Sequence, residues 1–171
     1  VETRSIRAVR MLAAIVTLGA GRLDAQKAKT VDPLCEKALP ADAANRLTSR
    51  RDLQLVPRLS ITAAGGTCNY AADGKKMVFL LTVLDEKGRA AERFARYKGE
   101  APYLPHQAEV TGLGDAAFTG GEPEHLLVAR KGRQVVQLSS MLDWDRASKQ
   151  MRARVPREQL IALAKEAVGK L

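Results

Sequence analysis

From Met77 to Leu84 the chain reads MVFLLTVL, apolar at every position but Thr82. A strand of this kind needs cover on both faces, which places it in the middle of a sheet. It is preceded by Asp73-Gly74, a pair that tolerates positive φ and suits a tight two-residue turn back to GTCNYAA. A second hairpin of the same sort is expected at Lys131-Gly132, between HLLVAR and RQVVQLSSML. Two tight hairpins predict a mainly antiparallel sheet.

Helices are expected around it. Asp32 is a candidate N-cap with Pro33 at the first helical position, and Pro40 should split that segment into a short turn and a helix ending near Leu47. Leu53–Ile61 alternates in part, and Pro57 marks it as an edge strand. Glu86–Lys98 reads as a helix whose stripe is Ala90, Ala91, Phe94 and Tyr97, with Gly99 to end it. DWDRASKQMRARV is polar and reads as a loop or short helix. The last segment places Leu160, Leu163, Ala164, Ala167, Val168 and Leu171 at helical spacing behind Pro156. The expected architecture is α+β: a twisted, mainly antiparallel sheet of about five or six strands with helices packed on one face. Each half runs hairpin then helix, a loose echo that suggests duplication.

The first residues point to export. Arg4, Arg7 and Arg10 precede the apolar run Met11–Ala20, which is short of the roughly 20 residues a bilayer span needs but fits the h-region of a secretory signal peptide. Cleavage is expected after Ala25, leaving Gln26 first, with Ala20 the second choice; a buried N-terminal helix is the alternative. The expected division is a signal peptide over 1–25, a flexible leader over 26–32 and a single domain over 33–171. Without a twin-arginine pair, the general secretory route is expected, to the periplasm or the exterior, with no transmembrane span in the mature chain.

Two cysteines, Cys35 and Cys68, suit an oxidising compartment, where a disulfide is the expected state. A lipid anchor on Cys35 does not fit VDPLC, and cysteines so far apart lack the close pairing of zinc ligands.

The net charge is +9; loss of residues 1–25, with four arginines and two acids, makes it +7. Such a charge permits attraction to polyanions. The basic residues are scattered among acids and aromatics for base stacking are scarce, so nucleic-acid binding is not expected.

Chemistry is harder to find. GLGDAAFTGG opens as G-x-G-x-x-A at Gly112, the dinucleotide fingerprint in its Gly/Ala form. A Rossmann site needs a helix directly after the glycines and an acid about 20 residues on. Gly120, Gly121 and Pro123 stop any such helix, and no acid lies between Glu124 and Asp143. Gly112 and Gly114 are better read as turn residues with positive φ, leading into a strand at Ala116–Phe118. No cofactor is expected. Glu122, Glu124 and His125 are possible metal ligands without a recognised spacing, and His106 lies in another loop, so no metal is expected. Ser139 and Ser140 have no evident His partner, and no G-x-S-x-G or H-E-x-x-H occurs. Asp143, Trp144 and Asp145 suit a carbohydrate-stacking edge, but the expectation is a Trp covering the core rim with its acids in water.

The order LCEKALPADAANRL, GTCNYA, apolar strand, helix, VTGLGDAAF, LLVARKGRQVVQL hairpin and LIALAKEAV helix resembles small exported bacterial domains, typified by uncharacterised actinobacterial lipoproteins and related extracellular sensor domains. The resemblance implies a Cys35–Cys68 disulfide, a twisted antiparallel sheet with helices, and no known catalytic residues. The chain departs from the lipoprotein pattern in lacking a lipid-attachment Cys. The functional expectation is an exported, non-catalytic domain that binds a ligand or partner. A polyanion- or envelope-polymer-binding protein is the alternative, and a hydrolase with a dispersed site comes third.

Overall fold

A computed structural model describes residues 31–57, 66–99 and 104–171. The expected signal segment and its cleavage point at Ala25 and Gln26 lie outside the described residues.

The Asp32 side chain accepts from the Leu34 N–H at 2.9 Å, and Pro33 opens α1 (Pro33–Ala38). Leu39 is extended, at φ −149° and ψ 87°, as a residue before proline prefers, so the helix stops there and α2 (Ala41–Leu47) starts beyond Pro40. β1 (Leu53–Val56) ends just before Pro57 and is an edge strand, as expected. On its open side the Asn45 amide stands in for a neighbouring strand. Its Nδ2 donates to the Leu53 carbonyl at 3.0 Å, and its Oδ1 accepts the Leu53 N–H at 2.9 Å.

β2 (Gly66–Ala72) and β3 (Lys76–Asp85) form the expected hairpin, with Asp73 at φ 49° and Gly74 at φ 67°. The loop holds three residues rather than two, because Ala72 pairs with Lys76. Tyr70 faces Phe79 while Ala71 faces Met77, so Val78 forms a bulge. The next helix, α3 (Ala90–Gly99), begins later than expected: Lys87 at φ 41° and Gly88 at φ 97° hold Glu86–Arg89 in a turn.

β4 (Ala108–Glu109), β5 (Ala116–Gly120), β6 (Leu126–Lys131) and β7 (Gln134–Ser140) follow as an antiparallel meander. The β6–β7 turn is Gly132-Arg133, one residue beyond the expected pair, with Gly132 at φ 55°. DWDRASKQMRARV is neither a loop nor a helix but a hairpin of β8 (Leu142–Asp145) and β9 (Gln150–Ala153). α4 (Arg157–Lys170) closes the chain, with Pro156 as its N-cap rather than its first residue.

The main sheet is seven-stranded, in the order β1-β2-β3-β7-β6-β5-β4, and every pairing is antiparallel. The α+β class is as expected; the count of five or six strands is corrected by the two-residue β4, too short to leave a periodic signal. Two meanders meet at the β3–β7 pairing, which puts the apolar β3 inside the sheet beside β7, the middle strand.

The expectation of helices on one face is also corrected. Val136 and Leu138 of β7 and Leu127 and Ala129 of β6 point to one core, shared with Leu160, Leu163, Ala164 and Ala167 of α4 and with Cys35 and Ala38 of α1. The alternate residues Val135, Leu126 and Val128 point the other way, with Phe118, to a smaller core under Ala90, Phe94 and Tyr97 of α3. Because β6 and β7 are apolar on both faces, each face demands a helix. A two-fold axis normal to the sheet between β3 and β7 would set α3 and α4 on the same face. They lie on opposite faces, which argues against a simple duplication.

The disulfide joins Cys35 of α1 to Cys68 of β2, both fully buried, with Cα atoms 5.4 Å apart. No helix among the described residues is long and apolar enough to cross a membrane.

Candidate functional site

The β8–β9 hairpin stands outside both cores and is built by its own polar residues. Leu142 pairs with Ala153, Asp143 with Arg152, Trp144 with Met151 and Asp145 with Gln150. At the turn Asp145 accepts from the Ala147 N–H at 2.9 Å and the Ser148 hydroxyl at 3.0 Å, and Arg152 reaches it at 3.3 Å. These donors, the Ala147 N–H first, hold the Asp145 carboxyl below its usual range.

At the base the Arg154 guanidinium is the brace. Its Nε donates to Asp143 Oδ2 at 2.8 Å, its Nη2 to Oδ1, and its Nη1 to the Met77 carbonyl at the start of β3. The Asp143 carboxyl is held low chiefly by that bond to Arg154. Beside it the Ser140 hydroxyl accepts the Val155 N–H at 2.8 Å and donates to the Met141 carbonyl at 3.1 Å. Ser140 is therefore a structural hydroxyl; Ser139 receives only the Gln137 amide, at 3.4 Å.

Side chains alternate along a strand, so Asp143, Asp145 and Arg152 share one face while Leu142, Trp144, Met151 and Ala153 share the other. On that second face Trp144 is 59% exposed and Met151 40%, and they are the exposed large apolar side chains of the described residues. The expectation of a Trp covering the core rim is thus corrected, as is that of its acids lying free in water. Nor do Asp143 and Asp145 line a sugar-stacking edge with Trp144, because they point away from it. Sequence reasoning missed Met151 altogether. Its signal lay only in the pairing register, which the polar run conceals.

The other candidates separate. Gly112 at φ 69° and Gly114 at φ 62° take the positive φ expected of turn residues, and strand β5, not a helix, follows. A Cβ at Gly114 would lie 2.3 Å from the Arg130 carbonyl oxygen, so that glycine serves close backbone packing. Asp115 then accepts the Gly132 N–H at 2.8 Å and ties the loop to the β6–β7 turn. A groove of about 290 Å³ runs between this loop and Phe94, with Lys98 and Glu109 in a 2.7 Å ion pair on its wall. A smaller polar cleft of about 100 Å³ lies along α3, where Arg93 already satisfies Glu86 at 3.0 Å.

Of the possible metal ligands, Glu122 reaches His106 at 3.3 Å, Glu124 pairs with Arg157 at 3.1 Å, and the His125 ring meets the Pro123 carbonyl at 2.8 Å. The three are not brought together, and no group of His, Cys, Asp or Glu among the described residues is placed to hold a metal.

The chain matches no protein-family model, no curated protein and no solved structure.

Proposed function

We propose that the protein is an exported, non-catalytic binding domain of the cell envelope, and that it engages its partner through the Trp144 face of the β8–β9 hairpin. The observation that carries the reading is Trp144, 59% exposed and directly opposite the exposed Met151, on a hairpin fixed at its base by Arg154. A large aromatic side chain left in water has a contact surface to offer, and Trp is the residue type most often found to dominate binding energy. The disulfide between Cys35 and Cys68 supports an oxidising compartment. The basic start and apolar run before Ala25 support export, and the resemblance to exported lipoprotein and sensor domains agrees with both.

A polyanion-binding surface spread over the whole protein has weaker support. Arg50, Arg133, Arg154 and Arg157 are each engaged by a carboxylate of the same chain.

The test is fractionation of bacteria expressing the full chain or its Trp144→Ala variant. The wild type is expected outside the cytoplasm, oxidised and retained by the envelope. The variant is expected to be exported equally, to unfold within about 0.5 kcal/mol of the wild type, and to be released. Equal retention of the two proteins would overturn the hairpin as the binding site.

A further inference from the structure

We infer that the partner of the β8–β9 hairpin is an anionic lipid surface, an inference that rests on the hairpin being the binding site. Trp144 and Met151 project together from one face, and the residues around them decide what such a face fits. Arg146 and Lys149 sit exposed at the turn, with no carboxylate partner among the described residues. Arg152 and Lys76 are exposed too, but they lie on the opposite face, against Asp145 at 3.3 Å and Asp143 at 3.8 Å, so the cations beside Trp144 are those of the turn.

The acids that would cancel Arg146 and Lys149 are occupied. Asp143 is committed to Arg154, and Asp145 to the turn N–H, Ser148 and Arg152, both on the face turned away from Trp144. The result is an apolar face with two unpaired cations at the turn beside it. An indole has an apolar body and one N–H, which suits the boundary between acyl chains and headgroups. Cations beside it meet lipid phosphates, and each contributes to attachment near a negative surface. The outer N–H and C=O groups of a two-stranded ribbon still need water, so the hairpin settles at headgroup depth and does not span.

Other occupants fit less of this surface. A soluble polyanion would use the cations and leave Trp144 in water. A second copy would set the turn cations of two hairpins against each other.

Trp144 is the single Trp of the chain, so tryptophan emission reads this hairpin alone. The apolar run Met11–Ala20 has its own affinity for lipid, and for that reason the readout is Trp144 rather than sedimentation. The purified full chain is mixed with phosphatidylglycerol/phosphatidylcholine vesicles, with phosphatidylcholine vesicles, and with dextran sulfate. Anionic vesicles are expected to shift the emission to the blue, brominated lipid to quench it, and added salt to reverse both. The Arg146→Gln/Lys149→Gln variant is expected to need roughly tenfold to thirtyfold more anionic lipid for the same shift. No shift on anionic vesicles, an equal shift on neutral ones, or an equal shift with dextran sulfate would overturn the inference. So would a shift that grows with protein concentration in the absence of lipid. If these fail while Trp144→Ala still releases the protein from envelopes, the hairpin remains the site and only the lipid is wrong. If that variant is retained like the wild type, the site itself is wrong.

Discussion

The hydroxyl of Tyr70, on β2, donates to the carbonyl of Leu39, the residue at which α1 stops. The bond satisfies a helix-end carbonyl inside the core, while the Tyr70 ring stacks on Phe79 with centroids 4.2 Å apart. Tyr70→Phe keeps the stack and leaves the carbonyl unpaired, so a loss of about 1–2 kcal/mol in urea unfolding is expected. Burial pushes the Tyr70 phenol well above its usual range. A raised folded pKa means that its stabilisation is complete below the unfolded value, about 10, and is lost as pH rises past it. The wild type should therefore lose stability as pH rises above about 10, more steeply than Tyr70→Phe.

The disulfide closes a loop between Cys35 and Cys68, 33 positions apart. Chain entropy assigns such a closure roughly 3–4 kcal/mol. The Cys35→Ala/Cys68→Ala pair is expected to lose about that much, and reductant should bring the wild type to the same midpoint. Reductant without effect on a protein whose mass shows free thiols would contradict the assignment.

Gly112 and Gly114 both take positive φ, but only Gly114 is crowded. Gly112→Ala is expected to cost about 1–2 kcal/mol from the left-handed backbone alone. Gly114→Ala should cost clearly more, because its Cβ meets the Arg130 carbonyl and the β5–β6 pairing has to shift. Equal thermal midpoints for the two variants would contradict the packing described.

Acid should loosen the hairpin before the core. Asp143 has a folded pKa lowered chiefly by its hydrogen bond to Arg154, so its contribution is present above the unfolded value, about 3.9, and is lost as pH falls through the folded one. Trp144 emission and the β8–β9 amide signals should change below about pH 4, ahead of the Tyr70 environment. Asp143→Asn should show the altered hairpin already at neutral pH.

Residues that dictate backbone geometry made much of this fold readable. Asp32, Pro33, Pro40, Asp73, Gly74, Gly112 and Gly114 each leave the chain few conformations, and each does what its type demands. The apolar runs of β3, β6 and β7 likewise announce a central sheet. The faces were not readable, because Val135-Val136 and Leu126-Leu127 supply apolar side chains to both sides and do not say which helix covers which. The β8–β9 hairpin escaped for a different reason. Its strands bury little, so their alternation is masked by Asp143, Asp145, Arg152 and Arg154, whose bonds become visible only once the register pairs them. The exposure of Trp144 follows from that register and not from its residue type.

The β3–β7 pairing also sets an order of events for a chain that crosses a membrane from its N-terminus. β1, β2 and β3, with both cysteines of the crosslink, lie wholly in the first half of the described chain and leave the translocation path ahead of the other strands. The other edge of β3 finds no partner until Gln134–Ser140 have followed. Throughout that interval the most apolar strand presents an open row of backbone donors and acceptors, the kind of edge on which chains add to one another. The hazard of self-association is therefore concentrated in the interval before Gln134–Ser140 reach that edge.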